Sequence, residues 1–166
     1  VGTGSGAIAV SLAYYISKAK ILAIDISDSA LKVAQSNIDK YEIGERVKTV
    51  KGDLLSPLLT LNKDNVDIIV SNPPYIDDKG MEGLSAEVKY EPEIALSGGC
   101  DGLDYSRRLI PQASQVLKKD GLLALEIGYN QADSIKDIFD SSWDDIFIKK
   151  DYSEHDRMVF ASLVHK

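Results

Sequence analysis

Disulfides cannot hold this chain together, because its only cysteine is Cys100. A lone thiol fits a reducing compartment, and a cytoplasmic protein is expected. No apolar run approaches the ~20 residues that a membrane span needs, so no membrane association is expected. There are two histidines, and no metal-ligand spacing connects them to other residues; no metal is expected. Cations are in the minority, 19 Lys and Arg against 26 Asp and Glu, for a net charge of −7. Binding along a phosphate backbone needs clustered cations, so stable nucleic-acid binding is not expected. Lys18, Lys20, Arg107, Arg108, Lys118 and Lys119 read as solvated surface charge. An initiator methionine is also lacking: the chain opens on Val1, in a glycine-rich turn. It therefore reads as a fragment, and the lack of a leader excludes nothing.

What is present suits a globular protein. The 166 residues are 44% hydrophobic and 27% charged, enough for one domain, 1–166, with a substantial core. After Gly2-Thr3-Gly4-Ser5-Gly6, residues 7–19 read as a largely apolar helix. Glycines in a turn that enters a helix let backbone approach a ligand and leave helix N–H groups open to it. Residues 20–25 then form a short strand ending in Asp25. This acid lies 19 positions after Gly6, near the spacing at which a carboxylate reaches ribose hydroxyls. The competing role is helix capping, for which Ser27 and Asp28 are equally suited.

An amphipathic helix over 28–41 is followed by a strand over 46–51 that ends in Gly52-Asp53-Leu54. Asp53 can meet the amine of a purine with Leu54 against the ring; a turn aspartate after glycine is the alternative. A connector, 56–65, leads to a buried strand, 66–71, and then to Asn72-Pro73-Pro74-Tyr75. Each proline removes an N–H donor and holds φ near about −65°, and Pro73 keeps Asn72 out of the helical region. The carbonyls here have few local donors, so the segment suits a planar group bearing N–H donors, an amide or the exocyclic amine of a base. A proline-rich exit loop is the alternative.

Residues 76–100 read as a long irregular segment of the kind that forms a functional lid or is disordered. A helix over 103–119 follows, kinked at Pro111 and stopped by Gly121. Next come a buried strand, 122–127, in which Glu126 needs a partner, and a helix over 130–139. Strands 143–150 and 158–164 are joined too closely for a crossover and pair antiparallel. His155 lies on that hairpin away from any nucleophile, and Asp156 and Arg157 pair with each other or brace the loop.

Parallel strands alternating with helices, then a hairpin, make an open, doubly wound, mostly parallel α/β sheet. Ligands sit at the carboxyl ends of strands in such sheets. The glycine turn, Asp25, Asp53 and Asn72 all fall at such ends.

VGTGSG, AIDIS, GDLL and SNPPY together resemble class I S-adenosylmethionine-dependent methyltransferases, with their Rossmann-like sheet. VKYEPEIAL, GGCDGLDYSRRLIPQA, LALEIGYNQ and HDRMVF are similar to the HemK/PrmC family, which methylates N5 of a glutamine in peptide chain release factors. The resemblance implies S-adenosylmethionine as cofactor, S-adenosylhomocysteine as its product and a release factor as partner. It places Gly2, Thr3, Gly4, Ser5 and Gly6 under the methionine part, Asp25 on the ribose, and Asp53 and Leu54 at the adenine. Asn72, Pro73, Pro74 and Tyr75 would hold the target glutamine. Asn72, Pro73 and Tyr75 would be catalytic, with Asn72 also beside the cofactor. That family carries a first strand ending in an acid, and an N-terminal helical domain; both are expected upstream of Val1. An amino-group methyltransferase acting on adenine or guanine of DNA or RNA would use the same tetrapeptide and is the alternative.

Overall fold

A computed structural model describes residues 1–61, 65–85 and 88–164, with the side chain of Lys89 excepted. The end of the expected 56–65 connector and residues 86–87 of the long segment lie outside the described residues. The chain divides into two compact units, Val1–Asn62 and Lys63–Lys166. Among the described residues, no helix is long and apolar enough to cross a membrane.

In the first unit, the glycine turn feeds α1 (Ala7–Tyr15), followed by β1 (Ile21–Asp25), α2 (Asp28–Lys40), β2 (Val47–Lys51) and α3 (Ser56–Thr60). β1 and β2 pair in parallel, with Asp25 opposite Lys51. Ala9, Val10, Ala13, Ala23, Ile38, Ile43 and Val47 make the core beneath them. α1 stops short of the expected residue 19 because Arg46 reaches its last turn. The guanidinium donates to the carbonyls of Ala13 at 2.7 Å and Ile16 at 3.3 Å, satisfying acceptors that a longer helix would have used. The start of α2 is capped by the Ser27 hydroxyl, which accepts from the Ala30 N–H at 3.2 Å. Asp28 instead pairs with Lys51 across to β2.

In the second unit the strand order is β3-β4-β6-β5, for β3 (Val66–Ser71), β4 (Leu117–Glu126), β5 (Trp143–Lys150) and β6 (Asp156–Leu163). β3 runs parallel to β4, and β6 pairs antiparallel with both β4 and β5, so the expected hairpin closes the sheet. Among the described residues, β1 and β2 form a parallel pair and β3–β6 a mixed four-stranded sheet. Among its described residues this unit also holds the α-helices α4 (Asp78–Glu82), α5 (Asp104–Val116) and α6 (Ala132–Lys136), with 3-10 turns at Val88–Tyr90 and Glu93–Ala95. α5 packs on β4 and α6 on β6.

Two expected features moved. α5 runs through Pro111 and ends at Val116, and Gly121 is not its stop but part of β4. Residues 118–121 form an irregularity in the β3–β4 register, with Asp120 at φ 61°. A side chain at Gly121 would press to 2.8 Å from the Lys118 carbonyl. The last helix is also shorter than 130–139. Gln131 occupies its N-cap position, where its side chain serves another purpose.

Candidate functional site

The glycine turn of the first unit needs its glycines. Gly2, Gly4 and Gly6 have φ of 62°, 54° and 80°, angles that a side chain disfavours. The turn is tied to β1 by the Thr3 N–H, which donates to the Ile24 carbonyl at 3.0 Å. Asp25 braces it from the strand end: Oδ2 accepts from the Gly4 N–H at 2.8 Å and Oδ1 from the Ser27 N–H at 2.9 Å. Asp25 is therefore not the cap of α2, and each oxygen keeps a second lone pair for a ligand. Asn37, unremarked in the sequence, donates from α2 to the Ser5 carbonyl at 2.8 Å. At Gly4 nothing lies within 4 Å of the place a Cβ would take, so backbone there is open to close approach. The N-cap position of α1 is Gly6, which has no side chain to cap it, and the first N–H groups of a helix have no partner within the helix itself.

Beyond β2, the Gly52 N–H donates to the Asp25 carbonyl at 2.9 Å. A Cβ on Gly52 would strike Pro57 at 2.2 Å. Asp53 follows, half-buried. Leu54 sits at φ 52° and its side chain is buried.

In the second unit, the Asn72–Tyr75 loop leaves β3 just after Ser71, which is paired with Leu125 of β4. Asn72 is exposed, while Pro73 is buried and Pro74 and Tyr75 are half-buried. Among the described residues no hydrogen bond engages the Asn72 amide. Tyr75 is held at both ends. Its hydroxyl donates to Glu126 Oε1 at 3.1 Å and accepts from Arg157 Nη1 at 3.5 Å. Its carbonyl accepts from Gln131 Nε2 at 3.0 Å. Burial, and then the Glu126 carboxylate, push the Tyr75 phenol above its ordinary value, against the opposing pull of Arg157. It stays protonated and remains a donor at neutral pH. Glu126 thus has the partner it needed.

Arg157 lies over the Tyr75 ring, 6.0 Å from its centroid. Its ion-pair partner is Asp151, at 3.2 Å, not its neighbour Asp156; consecutive side chains on a strand point to opposite faces. His155 is exposed and contacts the ring of Tyr129.

A cleft of about 400 Å³ opens beside this loop, lined by residues 72–76 with Leu84, Val88 and Glu91. A second cleft in the same unit, about 500 Å³, includes Gly99, Asp104, Tyr105 and Arg107. The Arg107 charge there is taken up by Asp101 and Asp104, so this larger space offers less chemistry. Cys100 is exposed. No group of acids, histidines and cysteine among the described residues could hold a metal ion.

The sequence matches the family described as a methyltransferase domain over residues 1–144. A release factor glutamine methyltransferase of Moorella thermoacetica is 46% identical over 162 residues, 96% of this chain and 56% of that protein. A ribosomal protein uL3 glutamine methyltransferase of Francisella tularensis is 40% identical over 129 residues, 78% of this chain and 40% of that protein. Among solved structures, a ribosomal protein L11 methylase from Lactobacillus delbrueckii subsp. bulgaricus aligns at a TM-score of 0.68 and 25% identity. It covers 99% of this chain and 67% of that one. The chain spans about half the length of the curated relatives it matches.

Proposed function

This chain belongs to the methyltransferase-domain family, and on that premise we propose that it methylates the side-chain amide nitrogen of a glutamine in a peptide chain release factor. The observation that carries the reading is the exposed Asn72 amide, engaged by no described residue, on a loop whose far end is pinned at Tyr75. The family match runs through both units, which supports one catalytic domain over 1–166. Relatives that act in translation support a cytoplasmic setting.

The first unit suits S-adenosylmethionine on its own geometry: an open backbone at Gly4, a glycine at the N-cap of α1 and spare acceptor capacity on Asp25. Gly2–Gly6 would cradle its methionine part, Asp25 its ribose, and Asp53 and Leu54 its adenine. When bound, it supplies an electrophilic methyl group on a positively charged sulfur.

The second unit prepares the acceptor. An amide nitrogen is a weak nucleophile, because its lone pair is delocalised into the carbonyl. The Asn72 side-chain carbonyl and the Pro73 backbone carbonyl would accept its two N–H protons. Such fixed dipoles favour a nitrogen that is pyramidalising and gaining positive charge. Tyr75 would pack against the plane of the amide and, with Pro74, restrict its rotation. One N–H proton then leaves to solvent, so no strong base is needed.

The uL3-directed relative favours a second protein substrate, a glutamine of a ribosomal protein. One assay separates the readings. The full-length protein is incubated with methyl-labelled cofactor and, in parallel, a release factor, ribosomal protein uL3, DNA and RNA. Label is expected in a release-factor glutamine; label confined to nucleic-acid bases would overturn the proposal.

A further inference from the structure

We propose that Gln131 is a positioning residue for methyl transfer, acting as a lock on the Asn72–Tyr75 loop; this rests on the function proposed above. Its side chain is buried, with 5% exposure, and all its polar atoms are used. Nε2 donates to the Tyr75 carbonyl at 3.0 Å and to the Asp101 carbonyl at 3.2 Å. Oε1 accepts from the Gly128 N–H at 2.8 Å. Two carbonyls and one N–H around the group require two donors and one acceptor, which an amide supplies and a carboxylate cannot.

The lock reaches Asn72 because little between them can turn. Ser71 is held in the β3–β4 ladder, Tyr75 is held by Gln131, and the two intervening residues are prolines with fixed φ. The backbone of Asn72 is thereby bracketed between the β3–β4 ladder and the Gln131 hydrogen bond to Tyr75. Immediately downstream, the Ile76 N–H donates to the Leu96 carbonyl at 3.0 Å and its carbonyl accepts from the Gly98 N–H at 2.8 Å, which fastens the loop's exit.

Gly102 shows how closely the lock is packed. It has φ 76°, and a Cβ there would stand 2.2 Å from the Tyr75 oxygen and 2.3 Å from Gln131 Nε2. A side chain would therefore push on both partners of the same hydrogen bond. The glycine keeps open the space in which the bond forms.

The test uses full-length protein. Gln131→Glu keeps the shape and the acceptor for Gly128 but turns a donor toward neither carbonyl when ionised. Gln131→Met keeps the volume and removes all three bonds. A misplacement of about 1 Å at reacting groups costs on the order of 10²-fold in rate, so both variants should lower kcat per folded enzyme by ~10-fold to 10²-fold. Cofactor affinity should stay within about twofold, since the residues proposed to hold the cofactor are Gly2–Gly6, Asp25 and Asp53. Gly102→Ala should act through the same bond, so that adding it to Gln131→Met costs no more than the larger single effect.

A readout free of activity is the carbonyl carbon of ¹³C-labelled Tyr75, which should move upfield when its donor is lost. Unchanged kcat per folded enzyme with only a lower melting temperature would overturn the positioning role. So would multiplicative effects of Gln131→Met and Gly102→Ala, or an unmoved Tyr75 resonance. A wild-type protein that methylates no glutamine but does methylate a base would sink the substrate reading alone, and the variants would then be scored on that acceptor.

Discussion

The Gly2–Gly6 turn and the Asn72–Tyr75 loop are stiffened by opposite means. In the first, three glycines take left-handed angles, and the main brace, Asp25, comes from 21 residues away, on the next strand. In the second, two prolines remove both freedom and donors. The braces Glu126, Gln131 and Arg157 come from 51, 56 and 82 residues away. A turn that must lie close to a ligand needs missing side chains and can be held by its own neighbourhood. A turn that must present carbonyls has no local donors to spare, so distant side chains brace it, Gln131 and Arg157 as donors and Glu126 as the acceptor of the Tyr75 hydroxyl.

The largest expected effect breaks the loop's chemistry while leaving its frame. Asn72→Ala removes an acceptor for the substrate amide and should lower turnover by roughly 10²-fold or more. The cofactor dissociation constant, measured by calorimetry, should change far less. Turnover near wild type would remove Asn72 from the reaction.

Asp25→Ala attacks the other region and should do the reverse, acting on cofactor affinity before turnover. Hydrogen bonds to a charged group are worth ~1.5–3 kcal/mol each, so cofactor binding should weaken at least tenfold. Because Asp25 also accepts from Gly4 and Ser27, the melting temperature should fall as well. Unchanged affinity with a lower melting temperature would make Asp25 purely a brace.

Gly6→Ala sharpens the contrast between freedom and stiffness. Gly6 sits at φ 80°, where a Cβ would come to 3.1 Å from that of Ala34. The left-handed angle alone costs roughly 1–2 kcal/mol for a residue with a side chain. A denaturant melt should show a loss of at least that size, and an unchanged midpoint would mean that the turn can relax.

The smallest effect lies at the rim of the second unit. The Arg107 guanidinium hydrogen-bonded to Asp101 lowers that carboxyl to about 2, below its unfolded value near ~3.9. A depressed carboxylate stabilises the fold above its unfolded value, and the contribution disappears as pH falls through about 2. Asp101→Asn should therefore cost a small fall in melting temperature at pH 7, discounted because the pair is well exposed. The difference from wild type should close between about pH 4 and pH 2. A gap that persists in acid would mean that the ion pair is not its source, since the asparagine oxygen can still accept from the Leu103 N–H.

Legibility followed the range of the interaction involved. Strands 66–71 and 143–150 stand at the bounds expected of them, because the pleat is written in neighbouring residues, but strand 66–71 is not the buried strand expected: Ile68 is 56% exposed, and only Ile69 and Ser71 are buried. The glycine turn, Asp25 at a strand end and the proline pair were readable for the same reason: each is a local constraint on dihedral angle or position. The end of α1 was not, since it depends on Arg46 arriving at its last carbonyls. Gly121 looked like a helix stop in sequence and serves a strand irregularity instead, because only pairing with β3 shows where the extra residues go.

The chain's own order of residues determined the α/β class, the strand ends that carry polar groups and the Asn72–Tyr75 segment with its missing donors. Tertiary structure alone decided who supplies those donors. Gln131 ends the LALEIGYNQ run, but that run does not show that Tyr75 and Asp101 are its partners, nor does HDRMVF show that Arg157 reaches the Tyr75 hydroxyl. The physical reason is that a hydrogen bond is selected by distance and angle in space, and over 50 or more residues those are set by how strands and helices pack rather than by spacing along the chain.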